Sequence, residues 1–322
     1  MSSGFDVIGD VHGHADKLEG LLEHMGYCER KTTWTHPERQ AIFVGDLIDR
    51  GKHQRRTVEL ARRMVDAGAA RIVLGNHEFN AIAWATPNPE IPGEHLRPHS
   101  HRVGARNRKQ HAKFLTEVGE DSACHREYIA WFRSIPLWLD LGELRIVHAC
   151  WNSAAMDVIK PWLSKDGSVT YALMVEGSRR GSAEYSAIET VLKGPEVDLP
   201  EGWVYLDKDK HPRQKARLRW WDADATTLRH AAEIPSDATT PEGDPFPELP
   251  DTPLVGGVIA PYTDDVPVIF GHYWRTGPRP ADTAMTACVD YSAATVGPLV
   301  AYRWNHGDTD LVPDHFVSFP IS

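Results

Sequence analysis

Residues 5–14 read FDVIGDVHGH, a short apolar run that changes abruptly into glycine, aspartate and histidine. The apolar residues that follow recur at the spacing of one helix face and are Leu18, Leu21, Leu22 and Met25. Gly26 then suits the end of that helix. A buried strand, a polar turn and an amphipathic helix in this order indicate the first half of a βαβ unit.

Two further segments repeat this arrangement. AIFV at 41–44 is followed by GDLIDRG at 45–51 and a helix, and RIVL at 71–74 is followed by GNHE at 75–78. Short apolar runs separated by helices are typical of a largely parallel sheet that is buried on both faces. The first half of the sequence therefore predicts an α/β fold.

Side chains that can bind a metal follow each of these strands. Two later runs, RIVHACW at 145–151 and VIFGHYW at 268–274, also place a histidine at a strand end. In open α/β sheets, ligands collect beyond the carboxyl ends of the strands, and glycines let the backbone turn sharply there. The candidate ligands are Asp10, His12, Asp46, Asn76, His148 and His272. Mixed oxygen and nitrogen ligands suit Mn, Fe, Zn or Co better than Ca.

Each of these residues has a simpler interpretation when it is taken alone. A single aspartate at a strand end is usually a turn or helix cap, and a single histidine is usually a surface or hydrogen-bonded residue. The ordered occurrence of such groups at five predicted strand ends, three of them in glycine-bounded motifs, favours a metal site instead.

Composition excludes several classes of protein. The chain has 322 residues, with 35 Lys and Arg against 45 Asp and Glu, for a net charge of -10. This acidity argues against long nucleic acid or an anionic membrane surface as a partner, but leaves a small phosphorylated substrate open. We see no signal peptide and no apolar run of about 20 residues, and the four cysteines are scattered. We therefore expect a cytoplasmic protein with reduced thiols that does not bind membranes.

The three glycine-bounded motifs also carry a family resemblance. GDVHG, GDLIDRG and GNHE, followed by two separated histidines, resemble the calcineurin-like metallophosphoesterases. The DRG extension at 49–51 resembles the motif of the phosphoprotein-phosphatase branch, which includes bacterial diadenosine tetraphosphatases. The segment ACVDYSAATVGPLVAYRW at 287–304 also resembles the closing strands of its bacterial members.

The resemblance implies a fold and a domain organisation. The expected fold is α/β (α+β), with two mixed β-sheets packed as a sandwich flanked by helices. The length is compatible with two domains or with one large domain. We expect a single catalytic domain over 1–322, in which 153–252 forms a family-divergent insertion or cap.

The resemblance also implies a dinuclear metal centre. Asp10 and His12 would hold one divalent ion, Asp46 would bridge, and Asn76, His148 and His272 would hold the second. A bridging carboxylate can hold two cations about 3.5–4 Å apart, the separation used for in-line phosphoryl displacement. We expect manganese first, with Fe, Zn, Co or Mg as alternatives, and in-line attack by a metal-bound hydroxide.

Three further residues have catalytic roles in this interpretation. Arg50 would bind the phosphate oxygens through its bidentate fork. His77 would protonate the leaving oxygen, and Asp49 would orient its imidazole. The simpler alternatives are an exposed salt bridge for Arg50, a turn cap for Asp49 and a structural hydrogen bond for His77.

A second basic residue on the phosphate is also implied by the branch. The candidates are Arg179, Arg180, Lys193, Arg217 and Arg219, and spacing does not decide among them. We favour Arg180. The basic segment 95–116, which contains no acidic residue, is either a solvated helix face or a lid over the substrate.

Two positions depart from the family pattern. Ala149-Cys150-Trp151 stands where the branch usually has small glycine-rich residues, and Tyr273-Trp274 follows the last ligand. The aromatic residues either stack on a substrate ring or belong to the core. We expect Cys150 to be a buried, inert thiol.

Three functions compete. The first is hydrolysis of phosphomonoesters, including phosphoserine or phosphothreonine in proteins, with a phosphorylated small molecule or phosphopeptide as substrate. The second is hydrolysis of dinucleoside polyphosphates such as diadenosine tetraphosphate. The third is a non-catalytic scaffold, which should lack ligands or the Arg50 and His77 pair, and this chain retains them.

Overall fold

The computed structural model describes residues 3–206, 211–235, 237–254 and 261–320. Its strands are β1 (Gly4–Ile8), β2 (Cys28–Arg30), β3 (Thr33–Thr35), β4 (Arg39–Phe43), β5 (Ala70–Ile72), β6 (Trp138–Asp140), β7 (Arg145–Val147), β8 (Glu196–Asp198), β9 (Tyr205–Leu206), β10 (Pro212–Arg213), β11 (Lys215–Leu218), β12 (Ala232–Glu233), β13 (Val268–Phe270), β14 (Thr286–Cys288), β15 (Leu299–Asn305) and β16 (Phe316–Phe319). Its α-helices are α1 (Ala15–His24), α2 (Gln54–Asp66), α3 (Asn76–Trp84), α4 (His101–Val118), α5 (Ala123–Arg133), α6 (Ser153–Ile159), α7 (Tyr171–Glu176), α8 (Ala183–Lys193) and α9 (Leu228–Ala231).

Two mixed sheets form the centre of the fold. The first sheet has the strand order β16-β15-β1-β4-β5, in which β1, β4 and β5 run parallel and β15 runs antiparallel to β1. The second sheet has the order β14-β13-β7-β6, in which β7, β13 and β14 run parallel. The parallel strands β1, β4 and β5 are the three runs that precede the glycine-bounded motifs.

The two sheets pack face to face. Phe5 and Val7 of β1 share one buried apolar cluster with Ile146 of β7 and Ile269 of β13. Because successive side chains of a strand point to opposite faces, Ile8 lies instead in the cluster that the sheets form with the helices. Each sheet is therefore covered by the other sheet on one face and by helices on the other. This arrangement confirms the predicted sandwich of two mixed sheets flanked by helices.

The segment 153–252 has two parts that pack differently. Met156 of α6, Leu173 of α7 and Val191 of α8 belong to the main helix-side core. Strands β8, β11 and β12 form a separate three-stranded antiparallel sheet. That sheet and the segments around it form an apolar cluster of their own, which consists of Leu199, Tyr205, Ala216, Leu228, Ala232, Ala238 and Leu249. A single domain with a cap at 153–252 stays a prediction. The separate apolar cluster begins at Leu199, shortly after the end of α8.

The basic segment 95–116 forms most of helix α4. The buried residues of α4 recur at helical spacing and are Gly104, Asn107, His111, Phe114, Leu115 and Val118. Arg102, Arg106 and Arg108 are exposed. This distribution agrees with a solvated basic face on a helix that packs against α2 and α5. Across the described ranges, no helix is both long and apolar enough to span a membrane.

Candidate metal centre

The six predicted ligands follow the carboxyl ends of parallel strands in both sheets. Asp10 follows β1, Asp46 follows β4 and Asn76 begins α3 after β5, while His148 and His272 follow β7 and β13. All six are buried, with exposed fractions between 0% for His148 and 7% for Asn76 and His272. The structure therefore brings residues that are far apart in sequence to one edge of the sandwich.

Asp46 is common to two groups of side chains that could hold a metal ion. His12, Asp46 and His77 form one group, and Asp46, His148 and His272 form the other, with ligand atoms within 4.8 Å of one another in each. Asp10 lies beside these groups, and its Oδ2 accepts a hydrogen bond from the His272 backbone nitrogen at 3.3 Å. A carboxylate shared by two groups is the arrangement that a bridging ligand requires.

The backbone reaches this arrangement through conformations that most residues avoid. Positive φ angles occur at His12 (48°), Asp46 (51°) and His272 (65°). Such conformations persist in non-glycine residues only where the surrounding structure enforces them, and they concentrate at functional sites. The glycines permit close approach, since a Cβ at Gly75 would lie 2.3 Å from Asp46 Oδ1 and one at Gly271 would lie 2.2 Å from Asp10 Oδ1.

Glu78, the last residue of GNHE, holds the Asp46 loop in place. Its two carboxylate oxygens accept hydrogen bonds from the backbone nitrogens of Asp46 and Leu47, each at 2.8 Å, and Oε2 also accepts one from Gly75 at 3.2 Å. Burial and the charge of Asp46 raise the pKa of Glu78 to about 7. The sequence motif contained this residue, but its role depends on a contact between two strand ends that the motif does not reveal.

Two of the histidines have their tautomers set by backbone carbonyls. His148 Nδ1 lies 2.7 Å from the Val44 oxygen, and His12 Nδ1 lies 2.9 Å from the Ile48 oxygen. A carbonyl oxygen can only accept, so each Nδ1 donates and each Nε2 of the neutral ring keeps its lone pair. Burial lowers the pKa of both imidazoles, to about 4 for His12. Metal-binding histidines usually donate their second ring nitrogen in this way.

Several acceptor atoms face one another at the centre, and two buried atoms of the candidate ligands have no hydrogen-bond partner in the described part of the chain. His148 Nε2 lies 3.0 Å from Asn76 Oδ1 and 3.5 Å from Asp46 Oδ1. Among the residues that the structure describes, Asp10 Oδ1 and His272 Nε2 are buried without a hydrogen-bond partner. Buried acceptors that face one another are costly unless a cation or donor satisfies them. The donor set therefore fits divalent metal ions.

Negative charge at the centre supports the same fit. Burial and the carboxylates of Asp290 and Asp46 raise the pKa of Asp10 well above its usual range. Crowded, buried carboxylates disfavour ionisation unless positive charge is placed among them. A divalent cation at this position would supply that charge.

His77 and Asp49 form a hydrogen-bonded pair beside the two groups. His77 Nδ1 donates to Asp49 Oδ2 at 2.6 Å, while its Nε2 lies 3.8 Å from Asp46 Oδ2. Burial alone would lower the pKa of His77, but the carboxylates of Asp46 and Asp49 raise it above its ordinary value. The His77 side chain is 16% exposed.

Asp49 has a second histidine partner that sequence reasoning missed. His111 Nδ1 lies 2.9 Å from Asp49 Oδ1. Burial would raise the pKa of Asp49, but His111 and His77 outweigh burial and hold this pKa below its ordinary value. The charge pattern of the 95–116 segment gives no sign of this buried contact.

Arg50 lies beside the predicted catalytic histidine. Its side chain is half-buried, its φ is 67°, and its positive charge acts on the pKa values of His12 and His77. An arginine fork at this point can contact phosphate oxygens next to both histidines.

The structure separates the candidates for the second basic residue. Arg180 is exposed before α8, and within the described ranges no contact links it to the candidate ligand histidines. Arg217 of β11 donates from Nη1 to the His272 carbonyl at 3.2 Å. Its charge lowers the pKa values of His272 and His148, where burial is the larger cause. The geometry favours Arg217 over Arg180.

The aromatic residues that depart from the family pattern are mainly core residues. Tyr273 is 2% exposed and donates its hydroxyl to the Leu218 carbonyl at 3.1 Å. Trp151 is buried beneath the Arg145 guanidinium, whose carbon lies 4.9 Å from the ring centre. Cys150 is buried, and burial raises the pKa of its thiol well above the usual range. These contacts agree with core packing and an inert thiol, and Trp274 is the more exposed aromatic at 38%.

The structure combines a two-sheet α/β sandwich with one carboxylate that is shared by two histidine-containing groups of candidate metal ligands. Residues 4–199 match the family described as calcineurin-like phosphoesterase. Because that match covers more than half of the chain, the protein belongs to the calcineurin-like phosphoesterase family. The membership confirms the resemblance predicted from GDVHG, GDLIDRG and GNHE.

Several known proteins are similar to this chain. A symmetrical bis(5'-nucleosyl)-tetraphosphatase of Janthinobacterium sp. (strain Marseille) is 28% identical over 273 residues, 84% of this chain and 82% of that protein. The asymmetrical bis(5'-nucleosyl)-tetraphosphatase PrpE of Geobacillus thermodenitrificans is 40% identical over 147 residues, 45% of this chain and 56% of that protein. A Saccharomyces cerevisiae protein serine/threonine phosphatase is 12% identical, with a TM-score of 0.48 over 99% of this chain and 80% of that one.

The similarity to the PrpE proteins is partial. The chain spans between 30% and 57% of the length of five such relatives, from Halalkalibacterium, Oceanobacillus, Bacillus and Geobacillus species. Each of these matches covers 45% of this chain or less.

Proposed function

We propose that this protein is a metal-dependent phosphoesterase whose centre holds two divalent ions. The observation that carries the proposal is the position of Asp46, which belongs to both groups of candidate ligands. One group would be completed by Asp10 and His12, and the other by Asn76, His148 and His272. Manganese is the ion we propose first, with Fe, Zn, Co and Mg as alternatives, because the mixed ligand set suits all of them.

The protein side chains have separate tasks in this proposal. When bound, the two cations supply positive charge for the phosphoryl oxygens and acidify water near the phosphorus atom. Arg50 binds phosphoryl oxygens from the His12 and His77 side, and Arg217 does so from the His272 side. These two arginines fix the orientation of the phosphate relative to Asp46.

His77 is the proposed general acid. Its Nδ1 is committed to Asp49 at 2.6 Å, so the mobile proton is held on Nε2. That nitrogen faces Asp46 and can deliver its proton to the leaving oxygen. Asp49 accepts the Nδ1 proton and so stabilises and orients the imidazolium form, which carries its second proton on Nε2.

Two substrate classes remain as candidates. Phosphomonoesters, including phosphoserine and phosphothreonine in peptides, require only the centre and its arginines. Dinucleoside polyphosphates are favoured by the names of the relatives, one of which aligns over 84% of the chain. The partly exposed Trp274 and the position of Arg217 next to His272 offer an aromatic surface and positive charge for such a substrate.

The later part of segment 153–252 is proposed to act as a cap. Arg217 lies in the small sheet of β8, β11 and β12 and contacts the backbone of His272. This contact places part of the segment beside the candidate ligands. A cytoplasmic location and a phosphorylated small molecule or phosphopeptide as partner stay predictions.

A comparison of substrates tests the proposal. Purified protein with Mn²⁺ is assayed on p-nitrophenyl phosphate, a phosphoserine peptide and diadenosine tetraphosphate, with Asp46→Asn as the matched variant. We expect hydrolysis of at least one substrate by the wild-type protein and none above background by Asp46→Asn. The relative kcat/KM values decide between the two substrate classes. Absence of hydrolysis with every metal tested would overturn the proposal.

A further inference from the structure

Helix α4 holds the catalytic loop of residues 46–54 at two points. Its His111 contacts the Asp49 side chain, with Nδ1 2.9 Å from Oδ1. Its Glu117 accepts hydrogen bonds from the backbone nitrogens of Gln54 at 2.7 Å and Arg55 at 3.1 Å, at the start of α2. The loop that carries Asp49 is therefore fixed by a helix that has no ligand residue of its own.

We propose that His111 is a positioning residue that orients the general acid His77 through Asp49. This inference rests on the proposed function, since it concerns the same proton transfer. Each carboxylate oxygen of Asp49 accepts a hydrogen bond from one imidazole, Oδ2 from His77 and Oδ1 from His111. Two hydrogen bonds thus link His111 through Asp49 to His77, which lies beside the candidate metal centre.

The geometry of Asp49 explains why a second partner matters. Its backbone is fixed, because its nitrogen donates to Gln54 Oε1 at 2.6 Å and its φ is 69°. The carboxylate itself can still rotate about the bond to Cβ unless both oxygens are held. His111 removes this freedom, so Oδ2 stays directed at His77 Nδ1 within hydrogen-bonding distance.

Burial makes the His111 contact strong. His111 and Asp49 are each 3% exposed. A carboxylate oxygen that loses its donor in such an environment keeps the full cost of its desolvation. Without His111, Asp49 is expected to turn toward another donor, and His77 then loses its fixed direction.

The chain offers a matched control for the loss of a buried histidine. The rings of His111 and His125 both pack on Phe114, with ring centres 5.0 and 5.8 Å from it. His125 is 1% exposed, and its Nδ1 accepts from the backbone nitrogen of Asp121 instead of contacting Asp49. His125→Ala therefore opens a comparable space in the same cluster and leaves the Asp49 contact intact.

The kinetic test compares leaving groups. The variants are His111→Ala, His111→Asn, whose amide nitrogen can replace Nδ1 as a donor, and His125→Ala. For His111→Ala we expect kcat on phenyl phosphate, a poor leaving group, to fall about tenfold or more, since general acids contribute about 10²–10⁴-fold. On 2,4-dinitrophenyl phosphate, whose leaving group needs no proton, the loss should stay below about twofold. His111→Asn should recover most of the phenyl phosphate rate.

A spectroscopic test is independent of activity. In the zinc-loaded protein, which is diamagnetic, the proton between His77 and Asp49 should give a downfield ¹H resonance that disappears in His77→Ala. We expect this resonance to shift or broaden in His111→Ala, to return in His111→Asn, and to stay unchanged in His125→Ala. Circular dichroism and thermal unfolding confirm that each variant is folded.

The outcomes separate the two proposals. Equal rate losses on both aryl phosphates, an equal loss in His125→Ala, or an unchanged resonance in His111→Ala would overturn the role of His111. A wild-type protein that hydrolyses no substrate would overturn the proposed function, and the resonance would still show whether His111 orients Asp49.

Discussion

Glu78 Oε2 accepts a hydrogen bond from the backbone nitrogen of Asp46 at 2.8 Å. This contact joins the first turn of α3 to the loop after β4, and it holds the shared carboxylate of the centre in a left-handed conformation. The position of Asp46 thus depends on a residue that belongs to neither group of candidate ligands.

The first prediction concerns this support. Glu78→Gln replaces one acceptor oxygen with a donor that would face a backbone N–H group. Metal affinity should fall about 10–100-fold, the usual effect of removing a hydrogen bond that supports a ligand. Isothermal titration with Mn²⁺ measures it. Glu94→Gln is the control, because Glu94 also accepts a backbone hydrogen bond, from His99 at 2.7 Å, outside the centre. Equal affinities in all three proteins would contradict the role of Glu78.

The second prediction follows from the sharing of Asp46. Asp46→Asn should lower the occupancy of both metal positions, whereas His12→Asn should empty only one, because His12 belongs to a single group. Metal content after gel filtration, measured by plasma mass spectrometry, should be close to zero in the first variant and near one per chain in the second. A full equivalent retained by Asp46→Asn would argue against bridging.

The third prediction is a dependence of stability on pH in the metal-free protein. Burial lowers the pKa of His12 to about 4, from an ordinary value near 6.5. Between these values the unfolded chain binds a proton that the folded chain does not, so stability falls as the pH falls through this window. The contribution is roughly 3 kcal/mol, since each unit of pKa shift corresponds to about 1.4 kcal/mol.

Urea unfolding in the presence of a chelator measures this effect. The free energy of unfolding is compared at pH 7 and pH 5 for the wild-type protein and His12→Gln. The variant should lose less stability on acidification, because its side chain does not titrate. An identical pH dependence in both proteins would show that His12 is not buried in its neutral form.

The fourth prediction distinguishes the two arginines. Arg217→Ala should weaken inhibition by inorganic phosphate about 10–100-fold, the effect of losing a charged hydrogen bond of about 1.5–3 kcal/mol. Its metal content should not change. Arg180→Ala, a change of the same type on the exposed turn before α8, should leave inhibition within about twofold of wild type. The reverse pattern would restore Arg180 as the phosphate-binding residue.

The fifth prediction concerns the general acid. His77→Ala should reduce turnover of substrates with poor leaving groups by about 10²–10⁴-fold and affect good leaving groups far less. The metals should remain, because Asp46 is still supported by Glu78. Substantial loss of metal in His77→Ala would mean that His77 acts as a ligand, as its place in the group with His12 and Asp46 would allow.

The family resemblance of the glycine-bounded motifs predicts the sandwich, and local sequence patterns predict that the candidate ligands lie at strand ends. Asp10 and His272 are 262 residues apart, yet each follows a short apolar run that ends in glycine. Parallel strands bring such ends to one edge, so local patterns were sufficient to place these residues.

Two residues depend on contacts between elements: His111, which the sequence did not indicate, and Arg217, one of five candidates that spacing left open. His111 reaches Asp49 across 62 residues of sequence, and Arg217 reaches His272 across 55. His111 lies in a segment whose charge suggests a solvated surface, and only the packing of α4 and β11 decides which side chains turn inward. Arg180, which the sequence favoured, lies on an exposed turn where no regular pattern fixes its direction.

The central claim is that two divalent ions held around Asp46 are required for phosphoester hydrolysis. The most direct measurement is the initial rate of hydrolysis as metal-free protein is titrated with Mn²⁺, with the best substrate of the three described above. We predict no activity without metal and a rate that rises to a plateau at two equivalents per chain. Hydrolysis that persists after metal removal, or a plateau at one equivalent, would contradict the claim.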